Sequence, residues 1–389
     1  MIDARLLSKT LSEPGYALTL DERAWTSLLT IAHAERLTAS LAWRLEGLPI
    51  PRKAAAILTD ARANAETART HALWEAEMAR RSLAHLDLPI ILLKGTAFAA
   101  AGLDAARGRL IGDLDILVPR ARLDAVEAAL LGAGWEWVKP DPYDDAYYRQ
   151  HMHELPPLIH RARDRMIDVH HTILPLTARV TPDAAALIAD AVPLLPPSRL
   201  REGPGVGLAF DQSLGSGSAT PPSLPGGLPP AIHQAALPPA GGRGMLYTLS
   251  PPDMIIHAVA HLFADGDLAG GLRNLWDIDR LIREQGDAPD YWPKLTERAR
   301  LHGLVPHTSR ALRLAQHLFA TPVDPYLAYE ARRGDVFYMG RLLARNGWGQ
   351  ETRKILRFAF YIRSHWLRMP PLMLAKHLWT KWRKARAKP

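Results

Sequence analysis

The stretch that most restricts what this chain can fold into is residues 88–118, LPIILLKGTAFAAAGLDAARGRLIGDLDILV. It reads as a buried strand, a tight Lys94-Gly95-Thr96 turn, a short helix, and a second strand carrying Asp113 and Asp115. Side chains on a strand alternate faces, so the two aspartates project to one side, about 7 Å apart along the chain. Leu114, Ile116 and Val118 point the other way and anchor the strand in a core. Carboxylates on so apolar a strand are costly to leave without partners, which argues for divalent cations between them.

The turn supplies a complementary half. Gly95 lacks a Cβ and lets a ligand approach the backbone, while Thr96 is expected to cap the helix and offer its hydroxyl. Phosphate is favoured at a helix N-terminus by free N–H groups and the dipole. Lys94 directly follows four apolar residues, which places it at the C-terminal end of the first strand, where ligands collect in α/β sheets. Triphosphate contact is expected of Lys94, with Arg109 adding positive charge from the other side.

The motifs LKG, R-x-x-G-D-L-D-I-L-V and I-D-V-H-H resemble those of a bacterial family of uncharacterised nucleotidyltransferases, a branch of the DNA polymerase β-like superfamily. SPPDMIIHAVAH and LRNLWDIDRLI look like that family's helical segment, so the resemblance runs over residues 85–320. It implies that Gly95-Thr96 stands where Gly-Ser is usual, and that Asp113 and Asp115 are the D-x-D metal ligands with Asp168 as the third acid. It implies Mg²⁺ or Mn²⁺ as cofactor, an NTP substrate with ATP first in line, and Lys94, Gly95, Thr96 and Arg109 as the nucleotide-binding set. Two ions would bridge the NTP phosphates, and Asp168 would bind one and help deprotonate an acceptor hydroxyl as pyrophosphate leaves. The implied fold is α+β: a small mixed sheet of the polymerase β-like kind, flanked by N-terminal helices and a C-terminal helical domain.

Charge distribution narrows the partners. The net charge is +8, but residues 352–389 hold eleven of the 48 Lys and Arg and no acid, so the rest sets 37 bases against all 40 acids. The body therefore lacks the broad basic surface that polynucleotide binding needs, and a small-molecule or protein acceptor is expected over nucleic acid. With no cysteine, disulfides and thiolate metal sites are excluded. The N-terminus lacks a signal-peptide pattern and no run of eighteen apolar residues occurs, so a cytoplasmic protein is expected.

Along the chain, residues 1–87 read as a helical segment, with Pro51 opening its second long helix. Residues 88–192 form the catalytic core: a β-α-β start, a helix from Leu123, a strand over 135–138, a polar turn over 141–150, and strands near 155–160 and 166–172. Residues 193–249 are so rich in Pro, Gly and Ser that a flexible linker is expected. Residues 250–350 read as helices over 252–264, 268–285, 290–302, 304–320 and 325–345.

The tail, 351–389, reads as two amphipathic helices split at Pro370-Pro371. Ile355, Ala359, Ile362 and Trp366 share one face, and Arg353, Arg357, Ser364 and Arg368 another. Docking of the apolar face on the helical domain is the first expectation. An anionic membrane surface, which would make the protein peripheral to the membrane, is the second, and an RNA or acidic partner the third.

Two rival sets test the assignment. Asp277 and Asp279 also spell D-x-D, but on a helix residues two apart point about 200° apart, so local pairing is expected of them. His257 and His261 have metal-ligand spacing without the Glu of a zinc protease motif, so a packed, hydrogen-bonded pair is expected. His170 shares a strand face with Asp168 and is an accessory candidate, orienting Asp168 or touching substrate. A catalytically silent protein keeping this fold and an RNA-end nucleotide-adding enzyme stand as alternatives.

Overall fold

The computed structural model describes residues 3–194, 244–328 and 333–370, together with residues 374, 375, 379 and 383. Four helices precede the sheet: α1 (Arg5–Ser12), α2 (Glu22–Ala34), α3 (Thr38–Arg44) and α4 (Arg52–Leu83). Asp21 starts α2 by accepting a hydrogen bond from the Ala24 N–H at 2.8 Å. Pro51 precedes α4, whose buried stripe of Ala54, Leu58, Ala65, Ala72, Ala76 and Ala79 lets it lie close to its neighbours. Helix α4 packs against β2 and the helices α5 and α6 that flank it.

The core then runs β1 (Ile90–Leu92), α5 (Lys94–Ala100), β2 (Leu114–Leu117), α6 (Leu123–Gly132), β3 (Trp135–Trp137), α7 (Pro142–His151), β4 (Leu158–His160), β5 (Met166–His170), α8 (Ala184–Ala189), β6 (Val192–Pro193) and β7 (Leu246–Thr248). The seven strands form one sheet in the order β3-β4-β5-β2-β1-β7-β6. Pairs β2/β5 and β1/β7 are parallel and the others antiparallel, so the sheet is mixed. The expected β-α-β start is an antiparallel pair: α5 returns the chain so that β2 runs against β1. All three residues of β1 are fully buried, which explains its unbroken apolar run.

Two expectations change here. Residues 141–150 are a helix, α7, rather than a polar turn, because Asp141 accepts from the N–H groups of Tyr143 and Asp144 and Pro142 opens the first turn. Both ends of the 193–249 segment are strands, β6 and β7, and β7 joins the sheet beside β1; the Pro/Gly-rich remainder, 195–243, lies outside the described residues.

Helices α9 (Pro251–Val259), α10 (Gly271–Gln285), α11 (Tyr291–Leu301), α12 (Val305–Phe319), α13 (Pro325–Ala328), α14 (Asp335–Leu342) and α15 (Lys354–Arg368) follow. A π-helical turn, Ala260–Asp265, ends α9. The helix expected over 325–345 is thus seen as α13 and α14, with a turn at residues 333–334, and α12 packs on α1.

In α15 the docking is the reverse of the first expectation. Phe360 and Ser364 are buried, whereas Ile355, Phe358, Ile362 and Trp366 are exposed, Ile355 at 87 %. The polar-looking face attaches the helix: Arg363 donates to the Phe263 carbonyl at 2.6 Å, Arg353 to the Gly340 carbonyl at 3.1 Å, and Arg368 pairs with Asp265 at 2.6 Å. Residues 371–373 and most of the second tail helix lie outside the described residues.

Candidate functional site

Parallel pairing of β2 and β5 sets Asp115 directly beside Asp168. Asp113 was expected on the same strand; it lies at a bend at the entry to β2, one residue before Leu114. Carboxylate oxygens of Asp113, Asp115 and Asp168 all lie within 4.8 Å of one another. Asp113 is exposed, Asp168 half-buried, and Asp115 buried.

The charges around the three acids are unequal. Lys94 Nζ sits 2.6 Å from Asp115 Oδ1, and His170 Nε2 lies 3.0 Å from the same oxygen. Burial works to raise the Asp115 carboxyl, but Lys94 and His170 hold it well below the usual carboxylate range. For Asp168 the one favouring charge, that of His170, is outweighed. Burial, then the charges of Glu154 and Asp115, push its carboxyl up to about 7, and burial likewise raises Glu154. A cation between Asp113, Asp115 and Asp168 would relieve that crowding, and an all-oxygen donor set suits a hard divalent ion. The residues present therefore fit Mg²⁺ or Mn²⁺.

The turn residues are arranged differently from expectation. Leu93, not Thr96, is the N-cap of α5, and Thr96 falls in the helix's first turn with its hydroxyl buried and without a hydrogen bond. Lys94 begins the helix in the left-handed region, φ 49°, a conformation unusual for any residue with a Cβ. A Cβ at Gly95 would lie 2.5 Å from Arg109 Nε and 3.1 Å from Ile111 Cγ1, so this glycine makes room for Arg109. Arg109 is itself held in an ion pair with Asp277 and lies 5.7 Å above the Phe98 ring. It lines the site, but its guanidinium is engaged by protein.

Beside this turn a cleft is lined by Lys94, Phe98, Arg109, His257, His261 and Asn274. His257 is buried and His261 is exposed on the π-helical turn, so the two do not form the packed pair expected of them. Burial, then the Lys94 charge, hold His257 well below its usual range. A π-turn that re-aims a side chain into a cleft is a recurrent feature of functional sites.

His170 was expected to orient Asp168 or touch substrate; its hydrogen-bond contact is with Asp115, two residues off register across the β2/β5 pair. Sequence reasoning missed Glu154 and His153 altogether. The run His151-Met152-His153-Glu154 crowds three chemistry-bearing residues into four positions, and that density was the available signal.

A family model described as "Uncharacterised nucleotidyltransferase" matches residues 21–201 and 223–320. No curated protein and no solved structure matches the chain.

Proposed function

The chain belongs to the uncharacterised nucleotidyltransferase family, transferases of phosphorus-containing groups, and from that premise we propose that Asp113, Asp115 and Asp168 are its catalytic acids. The observation that carries this is the meeting of three carboxylates from two neighbouring strands within 4.8 Å. They would hold Mg²⁺ or Mn²⁺, which supplies charge neutralisation at the NTP phosphates and acidifies an acceptor hydroxyl.

The chain's own residues account for the rest. Lys94 stands at Asp115 in the position of a counter-ion; released from it, the ammonium reaches the phosphates of an NTP lying in the adjoining cleft. The first turn of α5 faces the same nucleotide, with the unpartnered Thr96 hydroxyl buried behind it. His170 holds the Asp115 carboxylate in one orientation, and Asp168 is placed to accept the proton of the acceptor hydroxyl. The acceptor oxygen forms a bond to the α-phosphorus in line as the bond to pyrophosphate breaks. Sugars, small metabolites and protein hydroxyls fit the near-neutral body better than a nucleic acid does. The direct test is incubation with each labelled NTP and Mg²⁺ or Mn²⁺ in a cell extract. Label should enter one fraction with wild type and none with Asp113→Asn; equal labelling by both would overturn the assignment.

The exposed face of α15 favours a second element, peripheral attachment to an anionic membrane. No helix of the described residues is long and apolar enough to cross a membrane. Ile355, Phe358, Ile362 and Trp366 face outward on a helix that opens a tail of eleven bases and no acid. Each basic residue near anionic lipid contributes about 1 kcal/mol. The full chain should sediment with anionic but not neutral vesicles, less so in high salt, and Ile355→Glu with Phe358→Glu should abolish this. Sedimentation indifferent to lipid charge or to both substitutions would refute attachment.

A further inference from the structure

Next to the three acids lies a second constellation with different chemistry. After α7 the chain runs antiparallel to the end of β5: Leu155 N–H donates to the Val169 carbonyl and His171 N–H to the His153 carbonyl, each at 2.9 Å, and Glu154 bridges to His170. This backbone pairing fixes His153, Glu154 and His170 side by side. Glu154 Oε2 lies 3.5 Å from His170 Nδ1 and 3.6 Å from His153 Nε2. The two imidazole rings are 5.2 Å apart between centroids, tilted by 35°. One donor atom from each of the three residues falls within 4.8 Å of the others.

The hydrogen bonding of this cluster is incomplete. One ring nitrogen of His170, Nε2, is engaged with Asp115 Oδ1 at 3.0 Å. The other, Nδ1, lies on the Glu154 side of the ring. His170 is 2 % exposed, and its Nδ1 has no hydrogen bond. A buried imidazole nitrogen is costly to leave without a partner, which argues for a bound group between these side chains. A proton there would draw an imidazolium and a carboxylate to about 2.8 Å, well short of the 3.5 Å observed. Donors bound to a tetrahedral ion with bonds of about 2.1 Å stand about 3.4 Å apart, close to both distances seen.

We propose that His153, Glu154 and His170 form a transition-metal site, a two-histidine, one-glutamate set suited to Zn²⁺, separate from the oxygen-only site of Asp113, Asp115 and Asp168. Imidazole nitrogen selects a borderline ion over Mg²⁺, so the two sites differ in the metal they take. His170 joins them: Nδ1 binds the ion while Nε2–H donates to Asp115, the carboxylate–histidine–metal relay that fixes a ligand's tautomer and orientation. The site is a property of this chain's residues and stands whether or not the three acids transfer nucleotide.

The test uses the full-length protein loaded with Zn²⁺ in excess Mg²⁺ and then desalted. One equivalent of Zn²⁺ should be retained by wild type and by Asp113→Asn, and retention should weaken by more than about tenfold in His153→Ala and in Glu154→Gln. X-ray absorption at the zinc edge of the wild type should show the outer-shell scattering of two imidazoles, a readout that needs no variant to fold. Zinc with oxygen neighbours only, retention indifferent to both substitutions, or no retained zinc, as a proton shared by Glu154 and His170 would give, each overturns the proposal. Loss of transfer in Asp113→Asn with zinc retained separates this site from the nucleotidyltransferase chemistry.

Discussion

The chain carries the sequence Asp-x-Asp in two settings whose fates differ. At β2, Asp113 and Asp115 meet Asp168, and against these acids stand one lysine and one histidine. On α10, Asp277 and Asp279 point apart, and each is matched by arginines. Asp277 binds Arg273 at 2.7 Å and also Arg109, while Asp279 takes Arg280, Arg283 at 2.9 Å and the Thr321 hydroxyl at 2.7 Å. The helical pair is neutralised in place and fastens the helical region to the core, since Arg273 also donates to Ser40 and the Ala105 carbonyl. The strand pair is left short of positive charge. Identical residues two apart become a candidate cation site or a structural clasp according to the period of the backbone beneath them and the countercharge around them.

Substitutions at the two pairs should therefore fail in opposite ways. Asp113→Asn removes an exposed ligand, so nucleotide transfer should fall by at least about 100-fold while urea-unfolding stability moves by less than about 0.5 kcal/mol. Asp277→Asn strips a partner from two buried arginines and should cost about 3 kcal/mol or more in the same unfolding measurement, with folded protein still transferring nucleotide. A stable, inactive Asp277→Asn, or an unstable, active Asp113→Asn, would invert the comparison.

A finer probe is Lys94→Gln. It removes the ammonium that shares Asp115 with any incoming cation, so Mn²⁺ should bind more tightly to the free protein. NTP binding should weaken by about tenfold or more through loss of a charged phosphate contact. Both affinities moving in the same direction would show that Lys94 serves only to support the fold.

The smallest expected effect joins the two regions through Arg109. Gly95→Ala drives a methyl group against Arg109 and Ile111, at a cost of about 1–3 kcal/mol. It should also loosen the Arg109–Asp277 pair, seen as a smaller additional loss when combined with Asp277→Asn than the sum of the two. Strict additivity would mean that Gly95 and Asp277 are uncoupled.

These contrasts also show what could be read from sequence. The pair was legible because a period of two is visible in Asp113, Leu114, Asp115 and Ile116 without knowing any neighbour. Asp168 was recovered through the resemblance of I-D-V-H-H; its position opposite Asp115 depends on a parallel register that only the folded sheet supplies. That same register hid the partner of His170. Glu154 and His153 were missed because their contact with β5 is made by an irregular segment after α7, itself misread as a turn since its polar residues mask a capped helix. The turn at Gly95 and Thr96 was legible, but neither the N-cap at Leu93 nor the arginine packed on Gly95 was. For α15, spacing gave the amphipathic faces, yet which face docks was decided by carbonyls and Asp265 elsewhere in the chain.

The most direct measurement counts bound Mn²⁺ by electron paramagnetic resonance in the wild type, Asp113→Asn and Asp277→Asn, a readout that needs no knowledge of the acceptor. Expected is Mn²⁺ binding in the wild type, kept in folded Asp277→Asn and lost or weakened by at least about tenfold in Asp113→Asn. Equal Mn²⁺ binding by all three, or its loss in Asp277→Asn alone, would contradict the assignment of the strand carboxylates as the cation site.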